Sequence, residues 1–304
     1  MSKLIVLGSV NADHVLQVPS FPRPGETLHG HKYQVIPGGK GANQAVAAAR
    51  LNADVGFVAS VGDDSFGINI IDSFKGDGID TQGIKVVTDR PTGIAMIQVA
   101  DSGENSICIS AEANAELTAQ VIESDLSAIA EAQYLLTQLE TPLCGIQKAA
   151  QHAKQHATQV ILNPAPACQL SDELLKLIDI ITPNETEAEV LTGVAVVDEA
   201  SAQLAANKLH QKGIRTVMIT LGAKGVWVSE NGEGQIVAGF RVEATDTTAA
   251  GDTFNGGLVT ALLEGKDLYQ SIVFAHAAAA ISVTRFGAQT SIPTRSEVEA
   301  FLAK

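Results

Sequence analysis

Aromatic residues are scarce, at 4% of the 304 residues, and Trp227 is the single tryptophan. A core built on large rings is thereby excluded; 45% hydrophobic content and 27 glycines suit an Ala/Val/Ile-rich α/β protein with tight turns. Basic residues are few as well, 20 Lys and Arg against 34 Asp and Glu, for a formal net charge of −14. That balance argues against binding nucleic acid or an anionic membrane, since both need clustered cations. It leaves room for a small anion in a local site. Cysteine is rare too: Cys108, Cys144 and Cys168 stand far apart with no Cys-x-x-Cys pair. This pattern predicts reduced thiols in a cytoplasmic protein, with a packing role for them and for Trp227. Long apolar runs are missing. The first, residues 4–10, is too short for a membrane span, lacks a cleavage pattern and leads straight into Asn11 and Asp13. It reads as a buried parallel strand.

What is present is an alternation. Apolar strand-type runs at 4–10, 55–61, 134–139, 159–162, 178–181 and 216–220 alternate with helical patterns at 41–51, 65–77, 119–130, 144–156, 199–212 and 251–263. Such alternation predicts a three-layer α/β/α fold, a mostly parallel sheet covered on both faces. Ligands in such folds collect beyond the carboxyl ends of the strands. Two stretches, about 14–36 and 92–111, break the rhythm with prolines and β-rich runs that no long helix separates. These runs should pair antiparallel into a small projecting sheet, either a lid or a dimer surface, or an ordinary hairpin extension. Runs at 226–229, 235–237 and 239–243 predict an antiparallel edge, and helices at 251–263, 268–284 and 294–302 finish the chain. Without repeats or a flexible linker, 1–304 reads as a single domain with inserted lid strands.

The most informative stretch is Asp246-Thr-Thr-Ala-Ala-Gly-Asp252-Thr-Phe-Asn-Gly-Gly257. A run of small residues opens directly into a helix, whose first N–H groups lack intrahelical partners and favour an anion. Ala249, Ala250 and Gly251 would let a bulky anion approach the backbone, and Asp252 could take a proton from its attacker. Asp252 could equally cap the helix. Gly38-Gly39-Lys40-Gly41-Ala42-Asn43 is not a phosphate-binding P-loop, because Gly41 follows the lysine; it offers two donors or a plain helix-start turn. Asn11 and Asp13 after the first strand, with Glu140 after another, could hold neighbouring hydroxyls of a small polyol, or serve turns. Thr182-Pro-Asn184-Glu-Thr-Glu187 opens a helix with Asn184 as cap, or with Glu187 beside a magnesium ion, directly or through water. The turn Thr220-Leu221-Gly222-Ala223-Lys224-Gly225 could cup a nucleotide or simply turn a corner.

Taken together and in this order, these motifs resemble the ribokinase-type (PfkB) sugar kinases over essentially the whole chain. The Gly-Gly-Lys-Gly-Ala-Asn-Gln-Ala, Asn163-Pro-Ala-Pro166 and Thr-Pro-Asn-Glu-Thr-Glu-Ala-Glu189 segments strengthen the likeness. The resemblance implies ATP-dependent phosphorylation of D-ribose at its primary 5-hydroxyl. Asp252 is then the base, with the backbone of Ala249, Ala250, Gly251 and Asp252 as the anion hole. Asn11, Asp13, Gly39, Lys40, Gly41, Ala42, Asn43 and Glu140 would hold the sugar. Asn184, Glu187, the Thr220–Gly225 turn, Gly251, Asp252 and His276 would serve ATP, with Mg²⁺ near Glu187. Asp246, Thr248, Ser282, Arg285, Gly287 and Ser291 would hold an activating K⁺. The inserted strands would form a lid that joins two copies into a homodimer. One departure stands out: the broader family has Gly-Ala-Gly-Asp where this chain has Ala249 first, as ribokinases do. A same-family kinase for 2-deoxyribose or a ketohexose, or a silent sugar or nucleotide sensor on the same fold, are the rival readings. A nicotinamide dehydrogenase fails, because Gly8-Ser-Val-Asn-Ala does not supply Gly-x-Gly-x-x-Gly.

Overall fold

The computed structural model describes residues 3–304. Its strands are β1 (Leu4–Leu7), β2 (Asn11–Val18), β3 (Lys32–Gly38), β4 (Val55–Gly62), β5 (Ile84–Val87), β6 (Gly93–Ala100), β7 (Asn105–Ser110), β8 (Tyr134–Thr137), β9 (Gln159–Leu162), β10 (Ile180–Ile181), β11 (Thr216–Thr220), β12 (Val226–Glu230) and β13 (Glu233–Val237). The helices are α1 (Lys40–Arg50), α2 (Ser65–Gly76), α3 (Leu126–Glu131), α4 (Leu143–Gln155), α5 (Asp172–Leu175), α6 (Glu185–Thr192), α7 (Glu199–Gln211), α8 (Ala250–Leu263), α9 (Leu268–Ser282) and α10 (Arg295–Leu302).

The main sheet has the order β13-β12-β11-β10-β9-β8-β1-β4-β5. Every neighbouring pair from β11 to β5 is parallel, and β12 and β13 close the far end antiparallel. Strand side chains alternate between two cores, as the pleat requires. Ile5, Leu7, Val217 and Ile219 face α4, α6 and α7, whereas Leu4, Val6 and Met218 face α1, α2, α8 and α9. The three-layer α/β/α expectation therefore holds. Alanines and glycines let the helices on the second face lie close: a Cβ on Gly256 of α8 would come within 2.5 Å of the Ala47 Cβ in α1. That close packing brings the start of α8 against α1, where the site forms.

The second sheet, β3-β2-β6-β7, stands apart from the first. β3 pairs antiparallel with β2, and β7 with β6, as expected. β2 and β6 instead run parallel, because the chain returns to this sheet only after passing through α1, β4, α2 and β5. Asn11 and Asp13 correct the sequence reading. They do not follow the first strand but are the first and third residues of β2, since β1 ends at Leu7 and the chain changes sheets within three residues. Residues 239–243 form no strand. Phe240 leaves the sheet edge to stack edge-on against Phe301, with ring centroids 5.1 Å apart. Residues 119–130 divide into a 3₁₀ turn, Val121–Asp125, and α3. Trp227 packs in the core, but Cys108 and Cys144 are exposed; all three cysteines are free thiols. No helix among the described residues is long and apolar enough to cross a membrane.

Candidate active site

Helix α8 begins at Ala250 with Ala249 as its N-cap, and no side chain caps its first N–H groups. Ala249 has φ −104°, which costs alanine nothing, so the departure from glycine at this position leaves the turn intact. The Ala250 N–H turns back to the Thr247 carbonyl at 3.2 Å, leaving the next two N–H groups as the freer donors of the four. Gly251 is exposed at the head of a helix whose next residues are all buried, and a Cβ added there would meet nothing within 4 Å.

Asp252 is buried at 7% exposure. Its Oδ2 accepts from Asn43 Nδ2 at 2.9 Å and its Oδ1 from Gln44 Nε2 at 3.0 Å, both donors coming from α1. Burial pushes its pKa up to about 6, against the opposing pull of Lys40, Asn43 and Gln44. The carboxylate is thus ionised near neutrality yet basic enough to accept a proton.

The glycines before α1 serve close packing. Gly39 has φ 90°, and a Cβ on Gly41 would lie 2.4 Å from the Ser9 nitrogen. Helix α1 can therefore start directly against the β1–β2 connection, where the Ala42 N–H donates to Ser9 O at 2.9 Å. Glu140 is fixed by Ser9 Oγ at 2.6 Å and by the Lys40 N–H at 3.0 Å, while Lys40 Nζ lies 3.7 Å from its other oxygen. Burial works against the Lys40 ammonium, but Asp252, Glu140, Glu187 and Asp13 outweigh it and raise its pKa. Asp13, desolvated and facing Glu140, is pushed up to about 7. Asn11 Oδ1 accepts from Asn114 Nδ2 at 2.9 Å, and Asn43 Oδ1 is buried without a partner among the described residues. Asp13, Lys40, Asn43, Glu140 and Asp252 thus form one electrostatically coupled polar cluster, with Asn11 two residues before Asp13 on the second sheet.

A second group gathers beside it. Asn184 caps α6, accepting from the Glu187 N–H at 2.8 Å, while Glu187 accepts from the Asn184 N–H at 2.9 Å. The capping role is therefore real. Burial also raises the Glu187 pKa, with Asp252 adding to it and Asn184 and Lys40 opposing. The Thr220 N–H donates to Pro183 O at 2.9 Å, which joins the Thr220–Gly225 turn to the start of α6. Gly225, at φ 110°, allows that turn to touch the segment after β13, for a Cβ there would sit 2.2 Å from Val237 O. His276 of α9 has its ring centroid 5.3 Å from that of Phe254, leaves Nδ1 buried without a partner among the described residues, and is held below its ordinary pKa by burial, with the Ala238 backbone of the same segment opposing.

Asp246 and the loop after α9 form a third group. Asp246 Oδ1 accepts from the Thr248 N–H and hydroxyl at 2.9 and 2.5 Å, and Oδ2 from the Gly287 N–H at 2.9 Å. The Ser282 carbonyl accepts from the Arg285 N–H at 3.1 Å, and the Ser291 hydroxyl donates to Ala288 O at 2.8 Å. Among the described residues, no three His, Cys, Asp or Glu side chains group as a metal site. Sequence reading gave no role to the amides beneath Asp252. Gln138 was not singled out, and Gln44, Asn163, Thr182 and Asn255 stood in quoted motifs without a part to play. Their signal was a polar residue closing an apolar strand run, as Gln138, Asn163 and Thr182 do after β8, β9 and β10.

The family model described as pfkB family carbohydrate kinase matches residues 1–295. The chain is 60% identical to a ribokinase of Haemophilus influenzae over 299 residues, covering 98% of each. It is 36% identical to a deoxyribokinase of Salmonella typhimurium over 302 residues, covering 99% of this chain and 98% of the other. Its structure is similar to that of Arabidopsis thaliana ribokinase complexed with ribose and ATP, with TM-score 0.94, 34% identity, and 100% and 99% of the two chains covered. A nearly full-length family match and a full-length relative at this identity, on a site of this geometry, have one conclusion: the chain belongs to the pfkB family of carbohydrate kinases.

Proposed function

We propose that this protein transfers the γ-phosphoryl group of ATP to the 5-hydroxyl of D-ribose, giving D-ribose 5-phosphate and ADP. The observation that carries the reading is Asp252: a buried, weakly basic carboxylate, aimed by two amides, beside an uncapped helix start with open space at Gly251. Asp252 takes the hydroxyl proton as the sugar oxygen forms its bond to the γ-phosphorus, and the bond from phosphorus to the β-phosphate oxygen breaks. The N–H groups at the start of α8 and the Lys40 ammonium meet the charge on the moving phosphoryl group. Asn11, Asp13, Asn43 and Glu140 orient the sugar, and Asn184, Glu187, the Thr220–Gly225 turn and His276 hold the nucleotide.

A magnesium ion fits this donor set only in company with the nucleotide. Glu187 is a buried carboxylate on that side and no acidic cage surrounds it among the described residues, as suits an ion bound mainly by phosphate and water. When bound, Mg²⁺ supplies charge neutralisation on the phosphates. The oxygens of Asp246 and of the 282–291 loop suit K⁺ as an activating ion. The lid leaves Tyr33 and Met96 exposed on one face and Ile107 and Ile109 on the Asp13 face, at 50–58%, apolar surface on both sides that suits a second copy of the chain as partner in a cytoplasmic homodimer. A second reading, 2-deoxyribose as substrate, draws on the deoxyribokinase relative. Replacing Asp252 with Asn tests the mechanism: kcat falls by about two to four orders of magnitude with nucleotide affinity retained. Near-normal turnover in a folded variant refutes the role.

A further inference from the structure

Beneath the proposed base lies a closed ring of hydrogen bonds. Gln44 Nε2 donates to Asp252 Oδ1 and also to Asn163 Oδ1, each at 3.0 Å. Asn163 Nδ2 donates to the Thr182 carbonyl at 3.2 Å, and the Thr182 hydroxyl donates to Asn255 Oδ1 at 2.7 Å. Asn255 Nδ2 then donates to the Gly251 carbonyl at 2.8 Å, one residue before the starting point. Gln138 Nε2 fixes the remaining end of Gln44 at 2.6 Å. Gln44, Gln138, Asn163, Thr182 and Asn255 are all at 7% exposure or less. They come from α1, the ends of β8, β9 and β10, and α8.

We propose that Gln44, Asn163, Thr182 and Asn255 are positioning residues that set the angle between the Asp252 carboxylate and the Gly251 turn. The proposal rests on the reading of Asp252 as the base. Hydrophobic packing alone could seat α8, and apolar side chains would cost less to bury than five polar ones. What the ring adds is direction: the Thr182 hydroxyl lies 2.7 Å from Asn255 Oδ1 against 3.5 Å from the Leu162 carbonyl, so the shorter bond sets its orientation toward α8. Thr182 also stands two residues before the Asn184 cap of α6, and its neighbour Pro183 accepts from Thr220. The ring therefore ties the nucleotide side to the base through main chain and one hydroxyl.

Thr182→Val keeps the shape and removes that hydroxyl, and Thr182→Ser restores it. The ring requires kcat to fall about tenfold in the valine variant, with the ribose KM within about twofold, and the serine variant to recover most of the loss. A folded valine variant within about twofold of normal kcat overturns the proposal, as does a serine variant equally impaired. Should Thr182→Val not fold, Gln44→Met decides. Loss of a donor to Asp252 must move the acidic limb of the kcat–pH profile, taken at saturating ribose, upward, with Lys40, Glu140, Asp13 and Glu187 still facing that carboxylate. An unmoved limb overturns the ring. Asp252→Asn run alongside separates the two claims: an active Asp252→Asn refutes the base itself, whereas an inactive one with normal Thr182→Val refutes only the ring.

Discussion

Gly251→Ala is expected to improve the fold and damage the enzyme. The open space around a Cβ at this position means that nothing in the protein resists a methyl group. The residue is in helical conformation without a positive φ, so alanine gains its usual advantage in a helix, about 0.5–1 kcal/mol. For a chain of this size that raises Tm by roughly 1–2 °C. The same methyl projects from the helix start where the phosphoryl oxygens must come within hydrogen-bonding reach of the backbone. Displacing the anion from one such donor costs about 2.7–4 kcal/mol, or roughly two to three orders of magnitude in kcat. The contrast with Gly41 is instructive: a Cβ there meets backbone at 2.4 Å, so alanine would damage the fold itself. Differential scanning calorimetry and steady-state ADP release on one preparation measure both effects. A Gly251→Ala protein as stable as expected but with kcat within about threefold of normal refutes the anion-hole assignment.

Three further outcomes follow from the charges in the cleft. With Asp252 raised to about 6 and Asp13 to about 7, kcat/KM for the sugar loses its active form as pH falls through that window. It should be at least about tenfold lower at pH 5 than at pH 7.5, and a flat profile down to pH 5 contradicts the site. Asp13→Asn should lose sugar affinity yet gain stability. The folded protein keeps the Asp13 proton up to about 7, whereas an ordinary Asp releases it near 3.8, so stability is lost as pH rises between those values. Thermal melts should find the variant more stable by about 1–3 kcal/mol at pH 8, with the gain fading toward pH 4; an equal gain at both pH values contradicts the burial argument. Glu187→Gln can still accept from the Asn184 N–H and keep α6 capped, but it removes the negative charge. The Mg²⁺ concentration for half-maximal rate should rise about tenfold or more, with the sugar KM unmoved; an unchanged Mg²⁺ requirement excludes Glu187 from the metal side.

Much of the main sheet was legible because its strands are unbroken apolar runs buried on both faces. β9 and β11 fall on the expected 159–162 and 216–220. The lid was harder. Only three residues, Gly8 to Val10, separate β1 from β2, and the polar opening of β2, Asn11 to His14, reads as a loop when the second sheet is unknown. Residues 239–243 alternate like a strand, but Phe240 has a better partner in Phe301 than in a sheet edge. The site's motifs could be read one by one, since helix starts and glycine turns are local chemistry. Their convergence could not. Asn43 and Asp252 meet across 209 residues, and Gln44 reaches Asp252 across 208. No periodicity encodes that pairing. The ring was unreadable for the same reason: Gln138 closing an apolar run, or Asn255 inside the α8 motif, has no assignable partner until the strand ends and α8 are brought side by side.

The central claim is ribose phosphorylation at this cleft, and ADP release from MgATP tests it most directly. The assay offers ribose, 2-deoxyribose, fructose, tagatose and adenosine in turn, each with K⁺ and with Na⁺. Turnover highest on ribose, and higher in K⁺ than in Na⁺, is the predicted result. Absence of turnover on every sugar, by a folded protein that still binds ATP, would contradict it.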